Sequence, residues 1–107
     1  MTVAQAQAHA RLEKAVPPAG GTVASSPGEI RLTFSEGVEP KLSGIVLTDA
    51  GGRKVATGKP AADPKDKAEL IVPLPRPLAP GTYKVAWLAI SVDTHKTEGT
   101  FTFTVKP

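Results

Sequence analysis

The sequence predicts an all-β domain, a Greek-key sandwich of two sheets built from about seven short strands. Three observations carry that expectation. Apolar residues alternate with polar ones at period two in several separate stretches, and no helical period of useful length occurs. Breaks rich in glycine and proline, drawn from 10 Gly and 11 Pro, separate those stretches. A length of 107 residues, with 40% apolar and 21% charged content, suits one hydrophobic core and no second folding unit.

Taken in order, the first predicted strand runs from His9 to Val16 and stops at Pro17-Pro18-Ala19-Gly20-Gly21, a sharp break. Ile30, Leu32 and Phe34 then alternate with Glu29, Arg31 and Thr33, which makes a half-buried strand. Ile45 to Thr48 and Lys54 to Ala56 form two shorter strands. Asp49-Ala50-Gly51-Gly52 joins them, its glycines supplying the positive φ of a tight hairpin. Gly58 to Lys67 is polar, charged and proline-bearing, and is expected to be a solvent loop.

Leu70, Val72 and Leu74 alternate with Glu69, Ile71 and Pro73 in a further strand. The proline-rich segment from Pro73 to Pro80 satisfies a P-x-x-P spacing, but its position between strands favours a stiff connection. Gly81 to Val92 is apolar on both faces, as a central strand must be, and its Trp87 is read as a core residue. In the last strand, Glu98 to Lys106, Phe101, Phe103 and Val105 point to one side and the threonines to the other.

Composition removes several classes of function. The formal charge of +3 is scattered, without a run of five or six like charges, so no nucleic-acid surface is indicated. No stretch approaches the ~18 apolar residues of a membrane span. Without cysteine there is no disulfide, thiolate metal site or cysteine nucleophile. Residues 1–8 end in Ala6-Gln7-Ala8, the A-x-A form of a signal-peptidase site, and read as the tail of a secretory signal or as an added extension. A naturally flexible terminus is the plainer alternative.

Groups able to do directed chemistry are few. His9 and His95 are the only imidazoles. Ser91-Val92-Asp93-Thr94-His95 follows the central strand, where an extended backbone places Asp93 and His95 on one side. An imidazole and a carboxylate that converge suit Cu(II) or Zn(II), and further nitrogen ligands in a tetragonal plane tip the balance to Cu(II). A D-x-H triplet also arises by chance, with Asp93 capping a turn and His95 solvated. Cleavage after Ala8 would give His9 a free α-amine beside its imidazole, a chelating pair of nitrogens available near neutral pH.

Five separated segments then carry a resemblance. They are His9-Ala10-Arg11-Leu12 with Pro18-Ala19-Gly20, Ile30 to Glu36, Gly81 to Trp87, Ser91 to His95, and Gly99 to Phe103. Together they make residues 9–107 resemble the periplasmic copper-resistance protein C family, the CopC-like proteins. The resemblance implies a cupredoxin-like or immunoglobulin-like β-sandwich secreted to the periplasm. It implies one Cu(II) per chain, held by His9, Asp93 and His95, with Glu36 as a weak axial or outer partner. The plain reading of Glu36 is an exposed strand-end acid. Many members carry a Cu(I) site in a methionine-rich loop, but Gly44 to Arg53 holds neither Met nor His, and Met1 is the only methionine. A Cu(II)-only protein is therefore expected.

The function expected is a monomeric periplasmic Cu(II) carrier or reservoir in copper resistance, which sequesters the ion or hands it to an inner-membrane copper transport protein. It is not expected to be an enzyme. Two alternatives are an oxidative copper enzyme of the polysaccharide monooxygenase kind, which also uses an N-terminal His chelate, and a metal-free immunoglobulin-like spacer.

Overall fold

The computed structural model describes residues 10–107. Among them are nine strands: β1 (Leu12–Val16), β2 (Thr22–Val23), β3 (Glu29–Phe34), β4 (Gly44–Thr48), β5 (Lys54–Val55), β6 (Ala61–Asp63), β7 (Asp66–Pro73), β8 (Gly81–Ile90) and β9 (Lys96–Val105). They form two sheets, one ordered β1-β3-β7-β6 and the other β2-β9-β8-β4-β5. All pairings are antiparallel except that of β2 with β9.

Alternation in the sequence becomes the inside and outside of the sandwich. Ile30, Leu32 and Phe34 on β3 face Leu70 and Val72 on β7, and all are buried. From the opposite sheet come Leu47, Tyr83, Val85, Ala89, Phe101, Phe103 and Val105. Tyr83 and Phe103, paired across β8 and β9, stack with centroids 5.7 Å apart, and the Tyr83 hydroxyl donates to the Ala79 carbonyl.

β8 is central, as its two-faced apolar pattern predicts, with β9 on one side and β4 on the other. It ends at Ile90 and not at Val92, because Ser91 begins a tight reversal into β9. Trp87 is only partly buried. Its ring packs edge-on to Phe34 at 5.4 Å and lies over Gly99, its cross-strand partner. A Cβ on Gly99 would come within 2.8 Å of the indole, so only glycine leaves room for the ring.

The segment expected to be a solvent loop, Gly58 to Lys67, instead contributes β6 and the start of β7. Local polar groups build this hairpin without an apolar pattern. Asp63 Oδ1 accepts the Lys65 N–H at 2.8 Å, and Asp66 Oδ1 accepts the Ala68 N–H at 3.0 Å. Arg31 on β3 ties it to the sheet, reaching Asp63 at 3.4 Å and Glu69 at 3.2 Å while also pairing with Glu29.

Candidate metal centre

The β8–β9 connection is five residues long and closes on itself. The Ser91 N–H donates to the His95 carbonyl at 2.9 Å, and the Thr94 N–H donates to the Ser91 carbonyl at 2.8 Å. Thr94 sits at φ 72°, a left-handed conformation uncommon for a β-branched residue. Its hydroxyl donates to the Asp93 carbonyl. This compact turn brings Asp93 and His95 together, with Nδ1 of His95 3.2 Å from Oδ1 of Asp93. The pair expected from the sequence therefore forms, but by chain reversal and not by extended backbone.

Ser91 organises the turn from beneath. It is fully buried, its hydroxyl donates to Asp93 Oδ1, and it accepts the His95 N–H at 3.1 Å. That hydroxyl is the largest influence on the Asp93 carboxyl, holding it below the usual carboxylate range. Burial pushes the other way, and the His95 contact assists Ser91. Both Asp93 and His95 keep about half of their side-chain surface in solvent, 50% and 47%, so an ion can reach them directly.

Two further segments meet this turn. Residues 36–39 cross between the sheets: the Val92 N–H donates to the Gly37 carbonyl at 3.1 Å, and the Glu39 N–H donates to the Ile90 carbonyl at 2.8 Å. Val38 forms an isolated bridge with Ser91 and donates to the Lys67 carbonyl at 3.1 Å. Glu36 is half-buried beside this crossing. Among the described residues no hydrogen bond or ion pair joins it to Asp93 or His95.

The second segment leads into β1. Ala10 is fully buried, and its carbonyl accepts the Thr97 hydroxyl at 2.7 Å, two residues past His95. Arg11 exchanges two bonds with Ser35, each 2.8 Å. His9, expected as a ligand, lies outside the described residues.

Two donors each about 2 Å from one ion, at a right angle, lie about 3 Å apart. The Asp93–His95 separation is therefore that of adjacent positions on a shared ion. An imidazole nitrogen and a carboxylate oxygen suit a borderline divalent metal. Among the described residues no group of three His, Cys, Asp or Glu side chains gathers that could hold a metal ion. Ser91, Thr97 and Ser35 were not singled out from sequence. Hydroxyl residues are too common in a β protein for spacing alone to mark them.

The CopC domain model matches residues 12–106. The chain belongs to the CopC domain family. Copper resistance protein C of Escherichia coli is 42% identical over 111 residues, covering 94% of this chain and 84% of that protein. Protein YobA of Escherichia coli strain K12 is 44% identical over 99 residues, 92% of this chain and 80% of that protein.

Solved structures agree. This CopC-family chain is similar to CopC from Methylosinus trichosporium OB3b, with a TM-score of 0.86 and 37% identity over 92% of this chain and 95% of the other. PcoC, a methionine-rich copper resistance protein from Escherichia coli, gives 0.81 and 40% over 92% and 99%.

Proposed function

We propose that this CopC-family protein is a periplasmic copper-binding protein of copper resistance, which holds one Cu(II) as cargo at the Asp93–His95 turn. The observation that carries the reading is that pair, 3.2 Å apart on an exposed, internally bonded turn. Membership of the CopC family carries a copper-binding resistance role and not a catalytic one. It sets aside both the oxidative enzyme and the metal-free spacer.

His9 is proposed as the source of the remaining nitrogen. Support comes from the chain itself: Thr97, two residues after His95, holds the Ala10 carbonyl, and His9 is the residue before Ala10. Within residues 9–107, taken as the copper-binding domain, Glu36 is proposed as an outer partner acting along the crossing that meets Val92. With Met1 as the only methionine, the chain lacks thioethers for a soft Cu(I) site in Gly44 to Arg53, which supports a Cu(II)-only protein.

A monomer that buffers the ion, or passes it to an inner-membrane copper transporter, follows as the physiological role. No nucleic-acid partner is proposed. No helix among the described residues is long and apolar enough to cross a membrane.

Electron paramagnetic resonance of the Cu(II) complex tests the donor set, because nitrogen hyperfine structure counts nitrogens. His95→Phe should abolish the tetragonal signal, and a normal spectrum from that variant overturns the assignment. Cu(II) should quench Trp87, the single tryptophan, six residues before Asp93. Protons compete for imidazole and amine nitrogens, so binding should fade below about pH 5 to 6. A chain beginning at His9 should bind more tightly than this one in a competition titration, since its amine is then available.

A further inference from the structure

We propose that Ser91 and Thr97, two hydroxyl residues flanking His95 in the chain, are the positioning residues of the copper site, each presetting one half of it. The proposal rests on the copper-binding reading above. It assigns to this chain an outer layer that neither side chain's sequence context discloses.

Ser91 presets the Asp93–His95 half. Being fully buried, its hydroxyl has no solvent to turn to, and it spends its donor and an acceptor position on the turn itself: the Asp93 carboxylate and the His95 N–H. Both contacts act on groups at the two ends of a three-residue span. One fixes the rotamer of the carboxylate, and the other fixes the backbone from which the imidazole projects. The Ser91 backbone is itself fastened by its bridge to Val38, so the anchor is part of the sandwich and not of the loop. An ion arriving at such a turn meets donors already held about the right distance apart, and the ordering cost has been met in folding.

Thr97 presets the other half. It lies on the inward face of β9, opposite the buried Ala89, and donates 2.7 Å to the Ala10 carbonyl. This bond joins chain positions 87 residues apart. The exchange between Arg11 and Ser35 holds the same segment to the other sheet. The N-terminal segment is thus fixed on two sides, by Thr97 on β9 and by Ser35 after β3. The chemistry of the two anchors differs, because Ser91 orients an oxygen donor while Thr97 holds a length of main chain that leads to a nitrogen donor.

The test compares Ser91→Ala, Thr97→Val, Thr97→Ser and His95→Phe in the full chain, each first shown by circular dichroism to fold. Outer partners of metal ligands are typically worth 10- to 100-fold in affinity. Ser91→Ala should therefore weaken Cu(II) binding by about ten-fold or more and move the parallel g value and copper hyperfine splitting, with the nitrogen count retained. Thr97→Val keeps the side-chain volume but loses the donor, and should weaken binding comparably with a lower nitrogen count. Thr97→Ser, which keeps the hydroxyl, should restore the parent spectrum.

Parent-like affinity and spectra for Ser91→Ala and Thr97→Val, beside a His95→Phe that no longer binds, would overturn the positioning roles and leave the copper reading standing. Binding that survives His95→Phe would overturn both. If Ser91→Ala does not fold, the Thr97→Val and Thr97→Ser pair decides the matter, since identical spectra from those two are incompatible with the proposal.

Discussion

At the scale of single residues, the Asp93 carboxylate links stability to pH. Its acidity is enhanced in the folded chain by the Ser91 hydroxyl first, then by His95. A carboxyl held below its unfolded value of about 3.9 contributes stability above that pH and loses it as pH falls through the folded value. Asp93→Asn should therefore lower the melting temperature of the metal-free chain at pH 7. The gap should narrow as pH falls below the unfolded value and the carboxyl takes up its proton, and thermal melts across an acid series check it. Asp63 follows the same sign, its carboxyl lowered by the Lys65 N–H and then by Arg31. Sequence pointed to Asp93 and His95 because imidazoles are scarce here and the carboxylate stands two residues before one of them, within a segment that resembles the CopC family. It was silent on Ser91, whose importance comes from being buried and doubly bonded, a property of its surroundings and not of its residue type.

At the scale of strands, β8 and β9 are matched by a large residue facing none. Gly99→Ala would press a methyl against the Trp87 ring, where the built Cβ lies 2.8 Å from Cζ2 and 3.0 Å from Cε2. Overpacking of this kind costs about 1–3 kcal/mol. The expected outcome is a drop in melting temperature of roughly 4–8 °C per kcal/mol, measured by calorimetry, with altered Trp87 emission. The β6–β7 hairpin shows the opposite side of pattern reading. Its sequence reads as a loop because polar side chains, not alternating apolar ones, stabilise it: Asp63 and Asp66 bond to nearby N–H groups, and Arg31 reaches in from β3. Arg31→Met should leave Glu29, Asp63 and Glu69 facing one another on one sheet. Denaturant titrations at low and high salt should show a loss of stability at low ionic strength that shrinks as salt screens the carboxylates.

At the scale of the molecule, the two sheets present interior residues to a single core, and the β8–β9 turn hangs from its rim. Removing a core contact from either sheet should weaken both. Phe103→Ala, which deletes a ring that is 1% exposed, should cost about 3–5 kcal/mol by chemical denaturation. Bound Cu(II) should act in the other direction, raising the melting temperature as free copper rises, because a ligand held only by the folded state stabilises it by mass action. In His95→Phe that copper-dependent rise should vanish while the metal-free melting temperature stays near the parent value, since His95 is half-exposed.

The sequence by itself determined the all-β class, the central place of β8, the inward faces of β3, β7 and β9, and the two described residues that meet at the site. Each of these is written in periodicity or in the rarity of a side chain, and both are local quantities. Only the tertiary structure decided that Asp93 and His95 converge through a reversal at Ser91, that part of Gly58 to Lys67 pairs into a sheet, and that Thr97 fastens a segment 87 residues distant. Those outcomes depend on which backbone donors and acceptors are left to be satisfied once the sheets have packed, and a linear chain does not display them.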